Sequence, residues 1–193
     1  VDGSGFAVEG TGADIMCGIH LDGRRSNVTI QNTNIKNFYA GIRLYFSSNS
    51  SIGGNNITNN KGIGIELDYS YNNSIAGNSI AGNNIANNSN HGIALASCSN
   101  NSMIGNNIAN NYYAGIRLYD SSNNSAYHNN FAGNTYQVYS YNSTSFWDDG
   151  YPSGGNYWSD YAGLDFDHDG IGEAAHVIDA NNTDNYPLMG MFY

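Results

Sequence analysis

The stretch Gly41-Ile42-Arg43-Leu44 decides the fold, because close copies of it recur along the chain. The isoleucines of the five copies are spaced by 23, 23, 28 and 23 residues, and Val138 continues the series. A fixed period in this range is typical of stacked identical units, each too thin to bury its own apolar face. The other copies are Gly18-Ile19-His20-Leu21, Gly64-Ile65-Glu66-Leu67, Gly92-Ile93-Ala94-Leu95 and Gly115-Ile116-Arg117-Leu118.

Within each copy, apolar and polar residues alternate, as expected for a strand with one buried face. Clusters of Asn, Ser and Gly separate the apolar stretches and suit tight corners. Each period therefore predicts one coil of a parallel β-helix, with inner isoleucine columns and asparagine ladders at the corners. A second apolar series runs in phase with the first: Ile35, Ile57, Ile80 or Ile85, Ile108 and Phe131.

The 28-residue interval contains a duplication, since Asn73-Ser74-Ile75-Ala76-Gly77 is followed by Asn78-Ser79-Ile80-Ala81-Gly82. The ladder regains its phase afterwards. We therefore expect an outward bulge at a corner, where solenoids tolerate insertions; a binding loop is the alternative.

Composition limits the partners. The chain has 193 residues, 6 Lys and Arg against 16 Asp and Glu, and a formal charge of −10, so a nucleic acid or an anionic membrane surface would repel it. Cations are the natural partners of such a surface. No apolar run is long enough to span a bilayer, so membrane insertion is not expected.

The sequence lacks a starting Met and a signal segment, which suggests a processed form or a fragment of an exported protein. Several Asn-x-Ser/Thr sequons are candidates for glycosylation on predicted corners, although an Asn- and Ser-rich chain also produces sequons by chance. They start at Asn27, Asn49, Asn56, Asn72, Asn87, Asn100, Asn123, Asn142 and Asn181.

The two cysteines, Cys17 and Cys98, fall in different coils at different phases. Three coil steps would separate them by about 14 Å, too far for an internal disulfide. Two buried free thiols are one interpretation. A bond between neighbouring subunits in an oxidising setting is the other.

The period disappears after residue 141, so we divide the chain into β-helix repeats over 1–141 and a C-terminal cap over 142–193. The cap segment brings large aromatic side chains to the end of the solenoid, where they would cover the last coil. Stacking on sugars is the alternative use of such rings. The residues are Phe146, Trp147, Tyr151, Tyr157, Trp158 and Tyr161.

An acidic loop within the cap segment predicts a structural calcium site. Acids at positions one, three, five and nine, a Gly at six and a carbonyl at seven follow the pattern of EF-hand loops. Position twelve is His176, so Asp179 or Asp184 would have to supply the last ligand. A solvated acidic turn without a cation is the alternative. The predicted ligands are Asp165, Asp167, Asp169, Ile171, Glu173 and Asp179.

The repeat, together with the tail from Gly154 to Tyr161 and the loop from Asp165 to Glu173, resembles the NosD-like parallel β-helix proteins. These are abundant among archaeal surface proteins. The resemblance implies a right-handed, single-stranded parallel β-helix of about six coils, an extracellular or cell-surface location, and a surface or carbohydrate-associated role. Glu173 departs from the usual Asp, and Ala174-Ala175-His176 replaces a stretch with Pro-Tyr.

The function that we expect first is structural and non-catalytic: a β-helix subunit that assembles head to tail into a filament or surface layer through its coil ends. A carbohydrate-binding or adhesive module is the alternative, because tyrosines at outer positions offer stacking faces. Those tyrosines are Tyr45, Tyr69, Tyr112, Tyr113 and Tyr119.

A polysaccharide lyase or hydrolase is less expected, since few acids occupy outer positions of the repeat. Asp22 and Asp68 are the candidate pair. Copper handling, which the NosD label suggests, is the least expected function, because the histidines and methionines are scattered along the sequence and form no cluster of soft ligands.

Overall fold

A computed structural model of the protein describes residues 1–11, 16–70 and 79–193, with the backbone alone for residues 70 and 79–81. The described ranges contain strands and turns and no helix, and hence no helix that could cross a membrane. Three parallel sheets wind into a β-solenoid of about six turns, which confirms the predicted fold class.

Each turn of the solenoid contributes one strand to each of the three sheets. The sheet built from the Gly-Ile-x-Leu copies, here the Gly-Ile sheet, consists of β2 (Cys17–Leu21), β5 (Ala40–Tyr45), β8 (Ile63–Ser70), β11 (His91–Cys98), β14 (Ala114–Tyr119) and β17 (Tyr136–Tyr141).

The other two parallel sheets have short strands. The seven-stranded sheet contains β1 (Ala7–Glu9), β4 (Asn34–Lys36), β7 (Asn56–Thr58), β10 (Asn84–Ala86), β13 (Asn107–Ala109), β16 (Asn130–Ala132) and β19 (Tyr157–Trp158). The remaining sheet contains β3 (Thr29–Gln31), β6 (Ser51–Gly53), β9 (Ser79–Ala81), β12 (Ser102–Ile104), β15 (Asn124–Tyr127) and β18 (Ser145–Phe146). An antiparallel hairpin, β20 (His176–Asp179) and β21 (Asn182–Asp184), follows.

The core consists of columns of apolar side chains in register from coil to coil. Ile42, Ile65, Ile93 and Ile116 form the predicted column and are fully buried. In the second column, Ile85 is the residue that pairs with Ile57 and Ile108. The backbone of Ile80, on β9, is in register instead with Ile52 and Met103. The predicted outward bulge falls on residues 71–78, outside the described residues.

Buried asparagine ladders connect the coils at the corners. In the longest ladder, the Oδ1 of each asparagine accepts hydrogen bonds from the main-chain N–H and the Nδ2 of the asparagine one coil before. The distances are 2.9–3.1 Å and repeat through five coils. Its members are Asn55, Asn83, Asn106, Asn129 and Asn156, and Asp184 ends it. A second ladder runs through Asn60, Asn88, Asn111 and Asn134 to Gln137.

Cys98 takes the place of a serine in a similar corner row. Its main-chain N–H donates to Ser121 Oγ, and its thiol contacts the carbonyls of Leu67 and Ala96 at 3.3 Å. Ser121 Oγ likewise donates to the carbonyls of Leu95 and Tyr119. Cys98 is 1% exposed, as a buried thiol would be, and a bond between subunits through this residue stays a prediction. Cys17, on β2, is a free thiol that is partly exposed.

The segment after residue 141 first prolongs the solenoid and then closes it. Strands β18 and β19 still pair in parallel with β15 and β16, so the repeats extend past the predicted boundary as far as Trp158. Trp147 and Trp158 are buried, whereas Phe146 and Tyr151 are largely exposed. Of the six predicted aromatics, the two tryptophans therefore belong to the core, and Tyr161 packs against it while partly buried.

Asp184 fixes the cap to the end of the solenoid. Its carboxylate accepts hydrogen bonds from the main-chain N–H of Asn156 and from Trp158 Nε1, at 2.7 and 2.8 Å. Burial raises the pKa of the Asp184 carboxyl, and these donors partly oppose that shift. Asn182 plays a parallel role, accepting from Ser145 N and Trp147 Nε1.

Replacing one inner asparagine should cost far more stability than replacing its outer neighbour. We expect Asn106→Ala to lower the free energy of unfolding by about 3 kcal/mol, because it removes the buried oxygen that accepts from the Asn83 main-chain N–H and side-chain amide, and the amide that donates to Asn129 Oδ1. Asn107→Ala removes an amide from the partly exposed outer row and should cost less than about 1 kcal/mol. Urea denaturation of both variants measures the difference; equal losses would contradict a special role for the buried ladder.

Candidate functional site

The outer surface of the Gly-Ile sheet carries the chemically diverse side chains. Register pairing sets these residues side by side in two rows across the strands. One row reads His20, Arg43, Glu66, Ala94, Arg117 and Tyr139. The other reads Tyr45, Asp68, Ala96, Tyr119 and Tyr141. The isoleucine columns beneath hold the two rows at the inter-strand spacing of ~4.8 Å.

At the N-terminal side of this surface, Arg43 is neutralised by two acids. Its Nε lies 3.2 Å from Glu66 Oε2, and its Nη2 lies 2.6 Å from Asp68 Oδ2. Burial and the neighbouring Asp68 raise the pKa of the Glu66 carboxyl, while Arg43 and Arg117 oppose the shift. Asp68, one of the two acids considered for catalysis, is thus engaged by Arg43.

At the C-terminal side lies a depression of about 430 Å³, here the Tyr-Arg groove. The Arg117 guanidinium sits 5.2 Å from the centre of the Tyr119 ring, which stacks on Tyr141 at 5.0 Å. Within the described part of the chain, Arg117 has no acid within ion-pair distance, unlike Arg43. The groove is lined by Asn90, His91, Tyr113, Arg117, Tyr119, Tyr139 and Tyr141.

His91 is the buried polar group of this groove. It is 7% exposed, its ring meets the Tyr113 ring edge to face at 5.3 Å, and its Nδ1 is buried without a hydrogen-bond partner. Burial, followed by the charge of Arg117, lowers the pKa of His91 to about 4, so the imidazole is neutral at pH 7. The groove therefore contains a neutral imidazole behind its tyrosines, and Arg117 is its cation.

Sequence reasoning placed Arg117 and Tyr119 on this surface but missed His91, Tyr139 and Tyr141. His91 is in register with Ala114, an apolar residue of the next coil. A histidine at a position that is apolar in the next coil was the sequence signal that could have indicated this residue. Tyr139 and Tyr141 lie in β17, whose only match to the repeat is Val138.

The acidic loop brings three of its predicted ligands together. Oxygen atoms of Asp165, Asp167 and Glu173 all lie within 4.8 Å of one another. Asp169 is turned to the main chain, where its Oδ1 accepts from the N–H of Ile171 at 2.8 Å. Ile171 also pairs with Leu188, which fastens the loop to the cap. Such a cluster of carboxylates suits a hard cation.

Asp179 is not brought to this cluster. Both of its carboxylate oxygens accept from Asn182 Nδ2 at 2.9 Å, in the hairpin of β20 and β21. The alternative last ligand, Asp184, is equally committed to Trp158 and Asn156. The loop therefore offers three clustered acids, and the predicted final ligand from downstream is not supplied.

The sequons lie on exposed positions wherever the structure describes them. Six of them occupy corners with positive φ, which asparagine tolerates: Asn27, Asn49, Asn87, Asn100, Asn123 and Asn142. Asn56 lies in β7 and Asn181 in the turn between β20 and β21, and both are exposed. Asn72 is outside the described residues. Their glycosylation stays a prediction.

Comparison with known proteins agrees with the fold. The sequence model of the family described as "Periplasmic copper-binding protein (NosD)" matches residues 2–163. Crystal structures of the periplasmic alginate epimerase AlgG are similar: the T265N T268M double mutant has 32% identity and a TM-score of 0.61, covering 67% of this chain and 30% of that chain. The T265N mutant, at 24% identity and TM-score 0.57, covers 63% and 29%. No curated protein sequence matches significantly.

The residues present do not fit the copper of the family description. Within the described ranges, the group of His, Cys, Asp and Glu close enough to share an ion consists of carboxylates alone. The histidines are used elsewhere: His176 stacks on Trp158, and His128 stacks on Phe192. Cys98 is held in its serine-like row. Copper sites use imidazole and sulfur ligands, and the cluster of Asp165, Asp167 and Glu173 offers neither.

Protonation of His91 should make the protein less stable at acidic pH. Because the folded pKa is about 4 and the usual value is near 6.5, its contribution is complete above pH 6.5 and is lost as pH falls toward 4. His91→Phe should remove this part of the pH dependence of the urea midpoint. His20→Phe, an exposed position in register with Arg43, is the control. A curve for His91→Phe parallel to that of the wild type would contradict the assignment.

If the acidic loop holds calcium, ~1 mM Ca²⁺ should raise the melting temperature and a chelator should reverse the rise, because a ligand of the folded state stabilises it. Asp167→Asn should abolish the shift, since it removes one of the three clustered carboxylates. Asp160→Asn, an exposed acid outside the loop, should leave it intact. Equal Ca²⁺ shifts in both variants, or none in the wild type, would identify a solvated acidic turn.

Proposed function

We propose that this chain, which belongs to the NosD family of parallel β-helix proteins, is a non-catalytic module that binds an acidic glycan in the Tyr-Arg groove. The observation that carries the proposal is the Arg117 guanidinium, which has no acidic partner among the described residues and lies against stacked tyrosines beside the unpartnered His91 Nδ1. A groove with one free cation, aromatic faces and a neutral imidazole matches a sugar that bears a carboxylate.

Each group of the groove has a distinct role in this proposal. The planar guanidinium of Arg117 binds a carboxylate through two parallel hydrogen bonds. Tyr119 and Tyr141 offer ring faces to the apolar side of a sugar and hydroxyls to its polar side. The His91 ring, in edge-to-face contact with Tyr113, is neutral and adds no charge that would compete with Arg117.

The similar AlgG structures support the choice of an acidic glycan, because that protein is an epimerase of alginate, a polymer of uronic acids. This chain aligns with 30% of that chain, so the likeness supports a shared surface for saccharides rather than a shared activity. Both the family description and the AlgG structures refer to periplasmic proteins, which supports export of this chain from the cytoplasm.

Binding without catalysis is favoured by the positions of the acids. Hydrolysis of a glycoside requires two carboxyl groups that face each other across the bond to be cleaved. The residues that line the Tyr-Arg groove include no carboxylate, and the nearest row acids, Glu66 and Asp68, are paired with Arg43. The net charge of −10 opposes an anionic polymer at long range, so we expect modest, short-range affinity.

Assembly through coil ends, the function that we expected first from the sequence, has weaker support. The last coil is covered by the buried tryptophans and by Asp184, so its strand ends are not an open template. Self-association stays a prediction, and a surface-layer or filament role is the second candidate only if native material shows ordered polymers.

Arg117→Gln should weaken binding of uronate oligosaccharides about tenfold, because it removes a charge-assisted pair of hydrogen bonds. Isothermal titration with alginate oligosaccharides measures the effect. Lys36→Gln, which removes an exposed cation on the seven-stranded sheet, is the matched control and should bind as the wild type does. The proposal fails if the wild type binds no uronate oligosaccharide, or if both variants bind equally well.

A further inference from the structure

Two aromatic residues occupy a backbone conformation that bulky side chains avoid. Phe46 has φ = 49° and Tyr69 has φ = 58°, both in the left-handed region. They follow β5 and lie near the end of β8, and Phe46 N donates to the Asp68 carbonyl at 3.4 Å, which places them at the same corner of adjacent coils. At that corner the next coils use small polar residues with the same sign of φ: Ser97, Asp120 and Asn142.

The left-handed conformation is a property of this corner in every one of these coils, but the choice of residue differs. Asn and Asp tolerate it at little cost, whereas for a bulky side chain it is an outlier. Two neighbouring coils accept that cost. Burial does not compensate for it, because Phe46 and Tyr69 are 42% and 49% exposed. Strain held at an exposed position is typical of a functional site.

The two rings form one surface with Tyr45. Phe46 and Tyr69 stack at 5.6 Å with an interplanar angle of 19°, and Tyr45 meets both edge to face at 4.6 and 5.5 Å. Arg43 lies 5.8 Å from the Tyr45 ring centre and connects this surface to Glu66 and Asp68. We refer to Tyr45, Phe46 and Tyr69 as the aromatic shelf.

The shelf lies on the same outer surface as the Tyr-Arg groove. Tyr45 is in register, through Asp68 and Ala96, with Tyr119 and Tyr141. The intervening strand β11 carries Ala94 and Ala96 in the two outer rows. Their methyl groups are too small to obstruct a ligand that extends from one site to the other. Three strand spacings, about 14 Å, separate the middle of β5 and β8 from the middle of β14 and β17.

We propose that the aromatic shelf is a second saccharide subsite, which takes an uncharged sugar of the same glycan that the Tyr-Arg groove binds through its carboxylate. The proposal rests on the proposed function of that groove. The difference in sugar type follows from charge: Arg43 is already neutralised, so this end offers carboxylate acceptors for hydroxyl groups and no free cation. A uronate would be repelled there, and an uncharged ring would stack on the aromatic faces.

The test uses the double substitution Phe46→Asn with Tyr69→Asn. Asparagine suits the left-handed corner, so the variant should melt at a higher temperature than the wild type, by roughly 4 °C. If the rings served folding, it would melt lower. Tyr112→Asn, at an exposed tyrosine without positive φ, is the matched control and should change neither stability nor binding.

Binding is measured by isothermal titration with hyaluronan oligosaccharides, which alternate uronic acid with an uncharged sugar, and with cellohexaose, which is uncharged throughout. The double variant should lose about tenfold in affinity for a hyaluronan octasaccharide and should bind a single uronic acid as the wild type does. Cellohexaose binding should be lost in the double variant and kept in Arg117→Gln.

The outcomes separate the two proposals. If the wild type binds cellohexaose through the shelf but binds no uronate, the groove proposal fails and the shelf is a saccharide site by itself. If the wild type binds the octasaccharide and the double variant binds it equally well, or the double variant melts lower than the wild type, the shelf proposal is overturned while the groove proposal stands.

Discussion

The fold depends on the hydrogen bonds that each buried asparagine forms with the next coil. In the ladder from Asn55 to Asn156, one carbonyl oxygen satisfies both a main-chain N–H and a side-chain amide of the coil before it. This arrangement is possible only if each coil repeats the same corner in the same register. A slip of one residue would leave buried amides without partners, at a cost of a few kcal/mol for each coil. The isoleucine columns supply the stabilisation by burial, and the ladders supply the register.

A fixed register has a direct consequence for recognition. Side chains that are 23 residues apart in sequence become neighbours across the Gly-Ile sheet. Each coil therefore contributes one residue to each row of the outer surface. Arg43 meets two acids because the next coil has Glu66 and Asp68 at the facing positions. Arg117 has no such partner among the described residues, because the coil before it has Ala94 and Ala96. The same scaffold thus holds one neutralised arginine and one that is available to a ligand.

The sequence was sufficient to predict what is periodic, and less informative wherever the chain departs from its period. The period gave the parallel coils, the isoleucine columns and the asparagine ladders, since identical residues one coil apart must stack. It left Ile80 and Ile85 as alternatives, because both follow the same Asn-x-Ile pattern and only pairing with Ile57 distinguishes them. Cys98 was open to a redox interpretation because nothing in its local sequence shows that it replaces a serine. His91 and the ladder-ending role of Asp184 were missed for a related reason: both come from burial, which depends on coils and on a cap far away in sequence.

The residue that ends the long ladder gives the solenoid a direction. Along the ladder, the Nδ2 of each asparagine donates to the Oδ1 of the next asparagine toward the C-terminus. The column of side-chain hydrogen bonds therefore has one direction. Asp184 stands where a further asparagine would stand, and its carboxyl group accepts from Asn156 but has no amide to donate onward. A further coil would therefore receive no side-chain amide hydrogen bond at this position. The exchange of an amide nitrogen for an oxygen therefore ends the side-chain ladder at Asp184.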